Sequence, residues 1–131
     1  MLVTGGTQGW KKNLASVELL NLDGSFNCML PSLPHARSSH TQSGLVACGG
    51  NPNETTFKTC DTFSIGMEEW KKSHTLRKER RLHSSWASPE GVMLLGGWDS
   101  GFTTEKEDKT TELLTNDGDT IPGIKLKFDT Q

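Results

Sequence analysis

The chain has 131 residues, of which 32% are apolar and none is tyrosine, with a formal charge of −2 and an isoelectric point near 6.1. That length accommodates one domain of ordinary size, while the apolar share is thin for a self-sufficient core. The near-neutral charge offers no broad positive field for nucleic acid, and no apolar run approaches the ~20 residues needed to cross a bilayer. The chain reads as a soluble segment with no nucleic-acid partner and no membrane insertion.

In chain order, Leu2-Val3-Thr4 runs into Gly5-Gly6, an apolar strand ending where side chains would obstruct a turn. A polar loop containing Trp10 leads to a second strand at Ser16–Leu20, then to Asp23-Gly24, a reverse-turn signal, and to an outer strand at Cys28-Met29-Leu30. Arg37-Ser38-Ser39-His40 then precedes the next apolar run. The order repeats. Leu45–Cys48 ends in Gly49-Gly50, the next strand is Thr59–Phe63, the turn holds Gly66, the outer strand begins at Trp70, and Arg80-Arg81-Leu82-His83 closes the unit. The third unit runs from Val92–Leu95 through Gly96-Gly97 to Thr110–Leu114, Asp117-Gly118 and an alternating segment, Ile124–Phe128, predicted as an exposed outer strand. Successive doublets end 44 and 47 residues apart, a period in the range of propeller blades. Each second strand carries an acidic residue at the same place: Glu18, Asp61 and Glu112. No ten-residue stretch has helical spacing, so the fold class is all-β.

The pattern resembles the Kelch repeat: an apolar strand ending in Gly-Gly, an aromatic residue, a tryptophan, then an arginine before the next blade. The second unit matches best, with Phe63 in the aromatic place, Trp70 after it, and Arg80 leading onward; Leu20 and Leu114 replace the aromatic in the other two. The resemblance implies about three blades of an incomplete β-propeller, each a four-stranded antiparallel sheet, over residues 1–37, 38–80 and 81–131. Its structural positions are Gly5, Gly6, Gly49, Gly50, Gly96, Gly97, Phe63, Trp70, Arg37 and Arg80. The first unit lacks its innermost strand, so further blades or self-association are expected to complete a ring. Alone, the piece is expected to be marginal and to self-associate.

Eleven residues separate Cys48 from Cys60, and an antiparallel register centred on residue 54 sets them opposite each other. Such a pair is either a disulfide or two small buried thiols. No CxxC or zinc-spaced histidine occurs, so no metal and no cofactor are expected. The basic segment from Lys71 to Arg81 reads as a solvated face broken by Glu79, with Arg80 as a structural donor to backbone carbonyls. His40 and His83 hold equivalent slots, which points to a repeated architectural role rather than catalysis. Trp10 and Trp98 follow their doublets closely and are either binding anchors or caps over the sheet edge. Asn51–Thr56 and Asp99–Asp108 are variable loops where a partner would be recognised.

The resemblance implies a non-catalytic scaffold that binds a protein partner of unknown identity through these loops. The alternatives are an extracellular adhesion or sugar-binding propeller, or a portion of a galactose-oxidase-like or sialic-acid-epimerase-like enzyme domain. The copper version would need its tyrosine ligands from elsewhere.

Overall fold

A computed structural model describes residues 1–9, 12–51, 58–99, 106–107 and 110–125, and every regular element among them is a β-strand. No helix of the described residues is long and apolar enough to cross a membrane. Three antiparallel sheets follow one another along the chain. Sheet 1 comprises β1 (Leu2–Thr4), β4 (Val17–Leu20) and β5 (Phe26–Leu30), in that order. Sheet 2 runs β6 (Thr41–Ser43), β7 (Val46–Cys48), β8 (Thr59–Ser64) and β9 (Glu69–Thr75). Sheet 3 runs β10 (Ser84–Ser88), β11 (Gly91–Leu95), β14 (Thr110–Thr115) and β15 (Thr120–Lys125). Two-stranded pairs, β2 (Thr7–Gln8) with β3 (Lys12–Asn13) and β12 (Trp98–Asp99) with β13 (Lys106–Glu107), follow the first and third glycine doublets.

The pairing of β1 with β4, β7 with β8 and β11 with β14 keeps one register in all three sheets. Val3 pairs with Glu18, Ala47 with Asp61, and Leu94 with Glu112. On the outer side, Phe63 faces Trp70 and Leu114 faces Thr120. Strands β8 and β14 share one burial pattern in which two successive residues, Cys60-Asp61 and Thr111-Glu112, are both buried. A half-exposed strand would alternate, so adjacent burial means that both faces of these strands are covered.

Two cores result. Val17, Leu33, Ala47, Phe63 and Trp70 fill the space between sheets 1 and 2, with Phe63 and Trp70 ring centroids 5.4 Å apart. Cys48, Cys60, Leu76, Leu94 and Leu114 form the second, between sheets 2 and 3. Phe63 belongs to the first core and Asp61 bonds Arg37 on that side, whereas Cys60 belongs to the second core and Thr62 lines the groove between sheets 2 and 3, which is the two-residue period of a strand used on both faces.

One sequence expectation needs correction. The outer strand of sheet 3 is Thr120–Lys125, beginning four residues before the expected Ile124; Leu126, Lys127 and Phe128 lie outside the described residues. The turn is tight, with Gly118 N–H donating to Thr115 O at 3.1 Å, so pairing resumes at once. Pro122 is tolerated there because an edge strand leaves its missing N–H on the unpaired side. The turn after β8 holds Gly66 as expected, and its left-handed residue is Glu68, at φ 52°.

Candidate functional site

The glycine doublets, arginines and histidines singled out in the sequence converge where one sheet meets the next. Both residues of each doublet are left-handed: φ is 59° and 102° for Gly5-Gly6, 63° and 91° for Gly49-Gly50, and 64° and 99° for Gly96-Gly97. Space adds a second requirement. A Cβ on Gly5 would lie 2.6 Å from Arg37 O, and one on Gly50 would lie 2.5 Å from Ser38 O. The first glycine of a doublet thus packs on the junction segment that follows it, and the second packs on the one before.

Arg37 and Arg80, both fully buried, repeat one bonding scheme. The carbonyl of Arg37 accepts from Gly6 N–H at 2.9 Å, and that of Arg80 from Gly50 N–H at 3.0 Å. The guanidinium then reaches forward into the next sheet. Arg37 Nη1 donates to Gly49 O and Thr59 O, each at 3.2 Å, and Nη2 to the Asp61 carboxylate. Arg80 Nη1 donates to Gly96 O at 2.7 Å and Thr110 O at 3.2 Å, and Nη2 to Glu112 Oε1 at 2.6 Å. Each arginine therefore ties the backbone of one sheet to the carboxylate of the next. Burial pulls the pKa of Arg37 below its ordinary value and the Asp61 charge opposes that, so the pair is held by mutual compensation in a dry site. The Glu112 carboxylate also accepts the N–H groups of Arg77 and Lys78 at 2.7 and 3.2 Å, which anchors the connection out of sheet 2.

The acidic residues were visible in the sequence as a repeated position but were not connected to the arginines. Their pairing is the functional feature that sequence reasoning missed. Its signal was present: an acid on each second strand and an arginine ahead of the second and third units, at matching places in a common period.

His40 and His83 lie beside these arginines. His40 Nε2 is 2.9 Å from Thr4 Oγ1 and His83 Nε2 is 2.8 Å from Thr41 Oγ1. Thr4 Oγ1 donates its one proton to Gln42 Oε1 at 2.8 Å, so His40 Nε2 carries the hydrogen and Nδ1 bears the lone pair. Burial, reinforced by the adjacent arginine charge, lowers both imidazoles from 6.5 to about 4. They are neutral bonding groups of the junction.

The same backbone presents different side chains at the two junctions. Ser38 bridges Asn51, and Arg81 bridges Trp98 through N–H to O bonds of 3.0 and 2.9 Å. Ser39 and Leu82 follow, both left-handed, at φ 54° and 51°, and Leu82 N–H donates to Ser39 O at 2.9 Å, which links the two loop segments side by side. Asn13 Nδ2 adds a bond of 2.6 Å to Asn51 O from the β2–β3 pair. Leu82 is 63% exposed and Trp98 38%. Trp98 thus sits in β12 on this loop face, whereas Trp10 and most of the Asn51–Thr56 and Asp99–Asp108 loops fall outside the described residues.

Cys48 and Cys60 face each other in register and are joined in a disulfide buried in the second core, while Cys28 is a half-buried thiol. His74, which has no repeat equivalent among the histidines, bridges sheets 2 and 3: its Nε2 donates to Thr115 O at 2.8 Å and its Nδ1 lies 3.0 Å from Ser73 Oγ. Among the described residues, no group of three or more His, Cys, Asp or Glu side chains could hold a metal ion. No protein-family model and no curated protein matches the chain.

Proposed function

We propose that the chain is three consecutive blades of a Kelch-type β-propeller and acts as a non-catalytic protein-interaction scaffold, contacting its partner through the loop face that carries Leu82 and Trp98. The repeated registers and the arginine junctions support the blade reading. One observation carries the interaction reading: equivalent backbone positions hold Ser38, Ser39 and Asn51 at one junction, and Arg81, Leu82 and Trp98 at the other. The scaffold repeats between units while Ser39 and Asn51 give way to the large apolar Leu82 and Trp98, and Ser38 to Arg81. Leucine in the left-handed region costs about 1–2 kcal/mol, and a strained, exposed apolar residue beside a tryptophan has the chemistry of an interface anchor.

Peptides selected by phage display against the chain test this directly. At least some of those enriched should lose about tenfold or more in affinity, ~1.4 kcal/mol, on both Trp98→Ala and Leu82→Ser chains. Equal binding of every enriched peptide to wild type and to both variants would contradict the reading. The Cys48–Cys60 disulfide favours an oxidising compartment and supports a second reading, an extracellular adhesion or sugar-binding propeller. A glycan array with bound sugars sensitive to Trp98→Ala separates it from the first.

A further inference from the structure

The two junctions differ in what fills them. Between sheets 1 and 2, Leu30, Leu45, Phe63 and Trp70 pack together, and Trp70 Nε1 donates to Pro31 O at 2.9 Å. Register equivalence places His74, Val92, Leu114 and Thr120 at the same four positions between sheets 2 and 3. Even the bond is repeated, since Thr120 Oγ1 donates to Thr75 O at 2.9 Å where Trp70 meets Pro31. Every replacement is smaller or more polar. Three of these positions, His74, Val92 and Leu114, line a groove of 430 Å³ that Asp117 and Gly118 also border. Its volume lies within the range of about 300–1,000 Å³ of small-ligand sites. A second cleft, of 460 Å³, continues past His74 and Gly118 to Thr120.

We infer that this groove is a binding site for an aromatic side chain of a partner polypeptide, an indole or phenyl ring that enters between sheets 2 and 3 as Trp70 and Phe63 do between sheets 1 and 2. The molecule itself supplies the template for the occupant. At the filled junction, an indole meets a phenyl ring at a tilt, with centroids 5.4 Å apart and an interplanar angle of 50°; at the open one, the buried Leu114 stands at the phenyl position and the half-buried Val92 supplies the apolar contact beside it. The polar wall suits the peptide backbone on either side of such a ring, because the exposed Asp117 carboxylate at the groove can accept N–H bonds from it. Both walls belong to sheets that are fixed to each other by Arg80, so the site is formed in advance of binding. The choice of a polypeptide as the source of the ring rests on the interaction-scaffold reading; the groove and its preference for a ring do not.

N-acetyl-tryptophanamide, titrated into the 15N-labelled chain, is the probe. Saturable shifts centred on His74, Val92, Leu114 and Gly118 are expected, with millimolar affinity appropriate to a single ring. Leu114→Phe with Thr120→Trp copies the filled junction and should abolish those shifts while the spectrum stays folded. Should that double variant not fold, Val92→Leu, which copies Leu45 with one added methylene, should weaken binding at least threefold. No saturable shift in wild type up to about 10 mM probe, or shifts untouched by whichever filling variant folds, would overturn the assignment. Trp98→Ala should leave the groove shifts in place. A chain that shows those shifts while its selected peptides ignore Trp98→Ala keeps the groove and loses the loop face, and the converse result does the reverse.

Discussion

The junction between sheets 1 and 2 and the junction between sheets 2 and 3 use the same polar connections and opposite kinds of filling. In both, a buried arginine joins a glycine amide behind it to a glycine carbonyl and a carboxylate ahead of it, with a neutral histidine alongside. The first is then packed with Phe63 and Trp70; the second has Leu114, Thr120 and a disulfide, and retains an open groove. Geometry is thus set by the polar framework, which tolerates no change of shape, while the apolar filling is free to vary and so to acquire a role in binding. Directional bonds fix an arrangement, whereas non-directional burial fills whatever space that arrangement leaves.

Emptying each junction in turn separates the two. Trp70→Ala removes a buried indole and its bond to Pro31 O, and should cost about 3–5 kcal/mol; Thr120→Ala at the equivalent place should cost about 1 kcal/mol. Urea denaturation measures both, and equal losses would mean that the second junction is as tightly filled as the first. Reduction of the Cys48–Cys60 bond, which joins positions 12 apart in sequence in the second junction, should lower stability by about 3 kcal/mol, with Cys28→Ser showing no such effect. If reductant leaves the urea midpoint unchanged, the disulfide does not stabilise that junction.

Acid affects both junctions together. His40 and His83 titrate near 6.5 when unfolded and near 4 when folded, so the unfolded chain takes up their protons first as the pH falls. Their contribution is complete above pH 6.5, declines by up to about 1.4 kcal/mol per pH unit for each histidine on the way down to about pH 4, and levels off below that. Urea midpoints between pH 7.5 and 4.5 should follow this slope, and His40→Gln with His83→Gln should flatten it. The smallest effect concerns the loop face: Leu82→Gly relieves a left-handed leucine with no buried side chain to lose, and should raise stability by about 1 kcal/mol. A destabilised Leu82→Gly chain would mean that the leucine packs against something and is not a surface anchor.

Much of this molecule was legible because its period is carried by residues with steric obligations. Gly5-Gly6, Gly49-Gly50 and Gly96-Gly97 are required by positive φ, and at Gly5, Gly49, Gly50 and Gly97 also by close approach to a junction segment, so they mark the strand ends however far the rest diverges. The pairing of Cys48 with Cys60 could be counted from the loop between them. The outer strand of sheet 3 was misplaced because apolar alternation at Ile124–Phe128 outweighed the tight turn at Gly118, which forces pairing to resume at Thr120. The link from arginine to acid was not read because its partners lie 24 and 32 residues apart and belong to different sheets. Nor could the groove be read: it is a difference between equivalent positions, and those equivalences exist only once the registers are known.

The arginine junctions hold sheet to sheet, and a double-mutant cycle at each measures them. Arg80→Met and Glu112→Met should each cost about 3–5 kcal/mol, since either leaves a buried charge without its partner, while the double variant should recover much of that loss. Arg37→Met with Asp61→Leu should give the same pattern. Comparable coupling at both junctions is the predicted result; additive losses at either one would contradict a repeated framework that joins sheet to sheet.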